Sequence, residues 1–201
     1  MAVFEYDQSA LEYLGKKDKK LGAAINRIGL IERQVIPDLF AALVHSIVSQ
    51  QISGPAAATV WRRILDYFGT LTPEKIGQAS CEEIQQLGIS MRKARYIKGV
   101  AQAALEGRLD LQELNNLPDE DVIKRLVSLP VVGVWTAEMM LIFSLQRPDV
   151  VSWGDYGIRR GMMRLYGLPD LSREQFDKYR KRYSPYGSVA SLYLWEIAAG
   201  R

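Results

Sequence analysis

Asp155 follows Val151-Ser152-Trp153-Gly154 and directly precedes the helix predicted for Tyr156–Tyr166. A carboxylate in a low-dielectric site stabilises a positive charge that develops during bond cleavage, and it can orient or activate a water molecule. The same position suits a helix N-cap, because an aspartate side chain accepts hydrogen bonds from the first N–H groups of a helix. Taken alone, the residues favour capping, and the two roles are compatible.

Residues 119–145 contain a second pattern, which is typical of two helices joined by a tight turn. Asp119-Glu120-Asp121 opens an amphipathic run that Leu129-Pro130 ends, and the residues from Thr136 to Leu145 form a nearly all-apolar helix. Gly133 is expected to take a backbone conformation that is closed to other residues. The pattern predicts a helix-hairpin-helix whose second helix offers its first N–H groups to a phosphate, whatever the base sequence. An ordinary tight link between two core helices explains the same residues.

From Pro37 to Ala199 the chain resembles the helix-hairpin-helix DNA glycosylase superfamily, and most closely its alkylated-base branch, the DNA-3-methyladenine glycosylase II (AlkA-type) enzymes. Three segments carry the resemblance: residues 43–53 (LVHSIVSQQIS), the hairpin continued by Trp135-Thr136-Ala137, and Asp155-Tyr156 with the helix from Ser188 to Trp195. The resemblance implies base excision repair, with hydrolysis of the N-glycosidic bond of alkylated bases such as 3-methyladenine and 7-methylguanine. A non-catalytic helix-hairpin-helix DNA-binding module is the alternative, and a glycosylase for another lesion class is a third possibility.

The resemblance implies a catalytic role for Asp155 and, for Gln51, the role of a wedge that fills the gap left by a flipped nucleotide. Asp155 matches the catalytic aspartate of the family, and an alkylated purine is already a cation, so a general acid is less necessary. A base inside duplex DNA is unreachable, so the nucleotide must be flipped out and the gap filled. Gln51 resembles the family's wedge residue, with Gln50 beside it. Both glutamines could instead be the polar end of a core helix.

The flipped base needs a pocket, and Trp135, Tyr156 and Trp195 match the aromatic positions that line it in AlkA-type enzymes. Electron-rich ring faces attract a cationic base more than a neutral one. Aromatic residues at helical spacing are also typical of a core. In bifunctional relatives a lysine that forms a Schiff base occupies the position of Trp135, so we expect a monofunctional hydrolase without lyase activity.

The resemblance also assigns the hairpin its contacts. DNA-backbone contacts fall to Val131, Gly133, Trp135 and Thr136, and a monovalent cation (Na⁺ or K⁺) would be held by the backbone carbonyls of Val127, Leu129 and Val132. No cofactor is required. Two features depart from the family: Val131 replaces the first hairpin glycine, and Met139, beside Glu138, stands where a pocket aromatic is expected. The first departure leaves DNA affinity open, and the second leaves the lesion spectrum open.

Composition agrees with a globular DNA-binding protein. The 201 residues are 48% hydrophobic, and the net charge of +3 is local, since residues 156–182 hold eight Lys or Arg against three acids. That excess suits a polyanion, although a solvated basic face would look the same. Cys81 and His45 are the single cysteine and histidine, so a cysteine-ligated iron–sulfur cluster, a disulfide and a zinc site are excluded.

Further expectations concern partners and location. We expect a monomer that binds double-stranded DNA containing alkylated bases. The sequence shows no signal peptide and no apolar run of membrane length. It therefore predicts no membrane association, and a cytoplasmic, nucleoid-associated protein in a prokaryote or a nuclear one in a eukaryote.

Helical periodicity runs through the chain without strand alternation, which predicts an all-α fold. The predicted helices are Asp7–Leu14, Asp18–Ile28, Asp38–Gln51, Pro55–Phe68, Pro73–Ala79, Cys81–Leu87, Met91–Glu106, Asp119–Val127, Val134–Leu145, Tyr156–Tyr166, Arg173–Tyr183 and Pro185–Ala199. The resemblance implies a two-lobed helical bundle with a cleft between the lobes. One lobe would comprise residues 36–140 with the hairpin (119–145), the other residues 1–35 plus 141–201, within a single glycosylase unit of residues 1–201.

Overall fold

A computed structural model describes residues 2–201. Within that range the secondary structure is helical, and β-pairing is confined to an isolated bridge between Val3 and Gln34. The prediction of an all-α fold is confirmed. The helices of the described residues are α1 (Gln8–Lys17), α2 (Lys19–Ile28), α3 (Leu39–Ser49), α4 (Gly54–Phe68), α5 (Pro73–Gln78), α6 (Cys81–Gln86), α7 (Met91–Leu105), α8 (Asp119–Val127), α9 (Val134–Phe143), α10 (Tyr156–Tyr166), α11 (Arg173–Tyr183) and α12 (Gly187–Ala199).

Local capping signals set many of the helix starts. Ser80 before α6 and Ser172 before α11 each form a capping box with the Glu or Gln three residues later. Asp18 caps α2 by accepting the N–H groups of Lys20 and Leu21. Because such signals are local, most predicted helix ends agree with the structure within one residue.

Four predicted helix ends are wrong by two or three residues. The structure ends α3 at Ser49 rather than Gln51 and α9 at Phe143 rather than Leu145, begins α12 at Gly187 rather than Pro185, and extends α1 to Lys17 rather than Leu14. Gln51 and Gln146 take positive φ angles of 57° and 50°, which no α-helix accommodates. The sequence did not predict a short 3₁₀ turn at Glu113–Asn115, in which the Glu113 N–H donates to Asp110 Oδ1.

The chain folds as two compact units. The first, here the central unit, comprises Ile36–Met140. In it α3, α5 and α6 all pack against α7, and the apolar residues of α3, among them Leu43, Val44 and Ile47, are fully buried. A well-packed α3 therefore precedes the turn at Gln50 and Gln51.

The second, here the terminal unit, combines the segment up to Val35 with Leu141–Arg201. Its main contact is between α10 and α12. A side chain on Gly161 of α10 would overlap the backbone of Leu194 in α12, so these helices meet at backbone distance. That contact brings Trp195, the next residue of α12, against the start of α10.

Candidate functional site

Asp155 is a buried carboxylate at the N-terminus of α10, with 8% of its surface exposed. Its Oδ1 accepts the N–H of Ile158 at 2.8 Å, so the side chain caps α10. The same oxygen accepts the indole Nε1–H of Trp195 at 3.0 Å. The capping role is therefore real, and the carboxylate is also held by a second donor from a different helix.

Glycine at position 157 makes this arrangement possible. A Cβ on Gly157 would lie 2.8 Å from Trp195 Cδ1 and 3.1 Å from Asp155 Oδ1. The indole ring is further held by Phe143, stacked at a centroid distance of 5.5 Å, and by the Arg33 guanidinium 5.9 Å from the ring. Trp195 is thus a fixed donor to the carboxylate.

Tyr156 follows Asp155 in the chain and is 64% exposed. An exposed aromatic ring beside a buried carboxylate is available to a ligand, whereas a core aromatic is not. Of the aromatic residues predicted to line a base pocket, the terminal unit therefore places Trp195 on Asp155 and leaves Tyr156 largely exposed beside it. The bond between Asp155 and Trp195 joins residues 40 positions apart, and no local sequence signal predicts it.

Helix α8, the turn and the start of α9 lie in the central unit. α8 ends at Val127, and the turn contains a bond from the Val132 N–H to the Leu129 carbonyl at 3.3 Å. The Ala137 N–H then bonds the Gly133 carbonyl at 3.0 Å and opens α9. The predicted helix-hairpin-helix is confirmed. The N–H groups of the first turn of α9, which include those of Trp135 and Thr136, point along the helix axis towards its positive end.

The strained residue of the hairpin is Val131, not Gly133. Val131 has a φ angle of 80°, whereas Gly133 lies outside the left-handed region. The expectation that Gly133 takes the special conformation is therefore wrong. A β-branched residue at this φ costs about 1–3 kcal/mol and persists only where its surroundings hold it. Position 131 of the hairpin thus takes a left-handed conformation that suits glycine, and the valine makes that conformation costly.

The turn after α3 is tied to the hairpin. Lys93 Nζ donates to the carbonyl oxygens of Val48 and Gln50, at 2.7 and 2.6 Å, and so closes the C-terminus of α3. Gln50 Nε2 donates to the Val131 carbonyl at 3.4 Å. Gln51, at a φ of 57°, is exposed. Gln51 thus lies in a left-handed turn beyond α3, which corrects its predicted place at the helix end, and the Gln50 side chain is engaged with the hairpin.

A cavity of about 360 Å³ lies within the central unit, between the end of α3 and the start of α9. It is lined by Ser46, Ser49, Gln50, Gln51, Trp135, Thr136 and Met139. Trp135 is 47% exposed, while Thr136 and Met139 are buried. Sequence reasoning overlooked Ser46 and Ser49, although they are three residues apart and so lie on one face of α3.

His45, the single histidine, has a packing role. His45 packs edge-on against Trp61 at 4.9 Å, and burial lowers its pKa, as expected of a packing residue. Among residues 2–201 there is no cluster of three or more His, Cys, Asp or Glu side chains able to hold a metal. No helix in the same range is long and apolar enough to cross a membrane.

Comparisons with known proteins agree with this geometry. Residues 44–185 match the family model described as HhH-GPD superfamily base excision DNA repair protein. YfjP of Bacillus subtilis is 31% identical over 166 residues, which cover 78% of this chain and 58% of that protein. This chain thus spans less than two thirds of that relative.

Two solved structures are also similar. A DNA-3-methyladenine glycosidase from Bacillus halodurans is 36% identical, with a TM-score of 0.87 and coverage of 100% of this chain and 94% of that one. A 3-methyladenine DNA glycosylase from Schizosaccharomyces pombe, solved in complex with abasic DNA, is 28% identical. Its TM-score is 0.81, with 94% of this chain and 96% of that one covered.

Proposed function

We propose a function from one premise: this chain belongs to the HhH-GPD superfamily of base excision DNA repair proteins, whose model matches residues 44–185. The protein is a DNA glycosylase of the 3-methyladenine type, which acts on double-stranded DNA and hydrolyses the N-glycosidic bond of alkylated bases. The observation that carries the proposal is the buried Asp155 carboxylate held by the Trp195 indole.

Asp155 would act on the sugar. As the bond between base and sugar breaks, positive charge develops on the deoxyribose, and a carboxylate in a poorly hydrated site stabilises that charge strongly. Trp195 and the N–H of Ile158 hold one carboxylate oxygen in a fixed direction before the reaction begins. The carboxylate also orients the water that completes hydrolysis. An alkylated purine leaves as a neutral base, so Asp155 needs no acid partner.

The flipped nucleotide requires a wedge and a pocket. We assign the wedge to Gln51, which is exposed in a left-handed turn. We give Gln50 a supporting part because its side-chain amide donates a hydrogen bond to the hairpin. Trp135, Tyr156 and Trp195 would provide aromatic faces for a cationic base. The exposure of Trp135 and Tyr156 supports this assignment, since an aromatic residue of the core would be buried.

The hairpin would grip the DNA backbone. The start of α9 offers N–H groups near Gly133, Trp135 and Thr136 to a phosphate, and the strained Val131 shapes the turn before them. Such contacts ignore base sequence, as a repair enzyme that surveys DNA requires. The carbonyls of Val127, Leu129 and Val132 would hold a monovalent cation beside that phosphate. Carbonyl oxygens suit such a cation, and Val127 ends α8, where carbonyl groups lack helical partners, although the Leu129 carbonyl also accepts the Val132 N–H. No cofactor is needed.

Trp135 supports a monofunctional reaction. A glycosylase that also cleaves the strand needs an amine to form an imine with the sugar. The residue at the corresponding hairpin position here is a tryptophan. The product would therefore be an intact abasic site. We further propose that the protein acts as a monomer, in the nucleoid or the nucleus, and that residues 36–140 and residues 1–35 with 141–201 are the lobes of one glycosylase unit.

One observation favours a second function. Asp155 does cap α10, which is the role it would have in a non-catalytic helix-hairpin-helix DNA-binding module. Incubation of methylated duplex DNA with the protein, followed by chromatography of the released bases, separates the two. Free 3-methyladenine or 7-methylguanine is the expected result. Binding of DNA without base release would favour the module.

A further inference from the structure

Two short segments hold much of the positive charge of the chain. Residues 16–20 read Lys-Lys-Asp-Lys-Lys, and residues 178–182 read Lys-Tyr-Arg-Lys-Arg. Together they contain eight of the 26 basic residues and one of the 23 acidic residues, so ten residues carry a formal charge of +7. The remaining chain carries −4, against +3 overall. The basic character of the protein therefore resides in these two basic segments.

The fold joins the two basic segments inside the terminal unit. Arg182 Nη1 contacts Asp18 Oδ2 at 3.0 Å, across 164 residues of sequence. The Tyr166 hydroxyl donates to the same oxygen at 2.6 Å, and the Tyr166 ring stacks on Tyr179 with centroids 3.7 Å apart. Lys20 Nζ lies 5.9 Å from the Tyr166 ring. The ends of helices α1, α2, α10 and α11 thus meet around one buried carboxylate. Because Asp18 and Arg182 belong to the two basic segments, their contact makes the segments neighbours in the terminal unit.

The acid at the centre, Asp18, offsets only one of the eight positive charges. The Asp18 side chain is 3% exposed, and it accepts the N–H groups of Lys20 and Leu21 besides the bonds from Tyr166 and Arg182. Burial alone would raise the pKa of Asp18, but these hydrogen bonds outweigh it and hold the pKa below its usual range. The Asp18 carboxylate is therefore buried and hydrogen-bonded within the protein. By contrast, every lysine and arginine of the two basic segments is exposed.

The exposed lysines and arginines of the two basic segments suit a polyanion such as DNA, bound without regard to its base sequence. Lysine ammonium groups are mobile point charges that suit phosphates, whereas base recognition needs bidentate groups in fixed positions. The hairpin does not supply such charge, since residues 119–136 contain three acids and two basic residues. A protein that binds DNA therefore needs its long-range attraction from elsewhere in the chain.

We propose that the two basic segments form a second contact with the phosphate backbone of duplex DNA, separate from the hairpin. It draws undamaged duplex DNA to the protein before a lesion is engaged. The inference rests on the proposed function, because it takes DNA as the substrate. The Asp18, Tyr166 and Arg182 network is the internal frame of the two basic segments.

The test is the salt dependence of binding to an undamaged duplex. In the variant Lys17→Gln, Lys20→Gln, Lys181→Gln, the Asp18–Arg182 pair remains, so the fold is expected to survive. Each phosphate contact contributes about 0.9 to the slope of log K against log salt concentration. We expect the triple variant to lower that slope by about 1.8 to 2.7, as for two or three lost contacts, while single-turnover excision at saturating enzyme stays within about twofold of wild type.

A matched variant controls for net charge. Arg62→Gln, Arg63→Gln, Arg108→Gln removes three exposed charges from the central unit and should leave the slope within about 0.5 of wild type. An unchanged slope in the lysine variant, or an equal fall in both variants, would overturn the proposal. An acidic protein as the true partner would give the former result. Excision by the wild type is scored separately, so failure of the second contact is distinguishable from failure of the glycosylase assignment.

Discussion

Replacement of Asp155 by asparagine separates charge from geometry at the candidate active site. Asp155 Oδ1 accepts two hydrogen bonds, from the Ile158 N–H and the Trp195 indole, and the amide oxygen of asparagine can accept both. Asparagine and aspartate are nearly equal as N-caps. The substitution therefore removes the negative charge and leaves the cap, the indole contact and the helix start in place.

The two effects differ greatly in size. With one cap exchanged for its near equivalent, we expect the free energy of unfolding to change by less than about 1 kcal/mol. Loss of a preorganised group that stabilises transition-state charge costs about 2.7–4 kcal/mol, which is a factor of about 10²–10³ in rate. Because Asp155 is 8% exposed, water screens little of its charge, and the effect should reach that range. A stability loss this small leaves the protein folded, so unfolding cannot account for the fall in rate.

The assay is single-turnover release of methylated bases from duplex DNA, measured beside urea unfolding. Asp38 offers a matched control, since it caps α3 by accepting the Ala41 N–H at 2.7 Å. Asp38→Asn makes the same change in the same structural role and should leave excision within about twofold of wild type. If Asp155→Asn also excised bases at nearly the wild-type rate, Asp155 would be a cap alone and the mechanism would be refuted.

Three other substitutions and one analysis of the reaction products test separate parts of the account. Gln51→Ala should weaken binding to abasic duplex, measured by fluorescence anisotropy, while thermal unfolding shifts by less than about 1 kcal/mol; lost stability with unaltered affinity would make Gln51 structural. Val131→Gly should raise the free energy of unfolding by about 1 kcal/mol, because it relieves a φ of 80°, and a loss of stability would show that the valine side chain matters more than the strain. Since Trp135 has no amine, strands should break only after heat or alkali and borohydride should trap no adduct; a trapped adduct would contradict the monofunctional assignment. Asp18→Asn should destabilise the protein by about 2–3 kcal/mol at pH 7. The folded pKa of Asp18 lies below its ordinary value of 3.8, so its charge stabilises the fold above that pH, and the difference from wild type should narrow on acidification in urea titrations, whereas a constant difference would argue against the charge.

The fold was largely predictable because its signals are local. The bounds of α8, α10 and α11 agree with the sequence pattern residue by residue, since caps, prolines and glycines act within one turn of a helix. Asp155 was identified both as a cap and as a candidate acid, and the structure bears out the cap. The hairpin was predicted from the same kind of signal.

The errors fall where distant contacts decide the backbone. Gln51 and Val131 take left-handed conformations that their own side chains disfavour, and the bonds around Gln50 and Lys93 hold that region together. Sequence patterns place left-handed turns at glycine, and so pointed to Gly133 instead. The bond between Asp155 and Trp195 depends on two helices meeting at Gly157 and Gly161, which no local pattern reveals.

Chromatography of bases released from methylated duplex DNA tests the central claim most directly. Wild-type protein should release free 3-methyladenine or 7-methylguanine and leave unbroken strands that contain abasic sites, and Asp155→Asn should release them at least about 10²-fold more slowly. If wild-type protein bound the same DNA but released no free base from it, the claim would be contradicted. The protein would then be a DNA-binding module in which Asp155 serves as a helix cap.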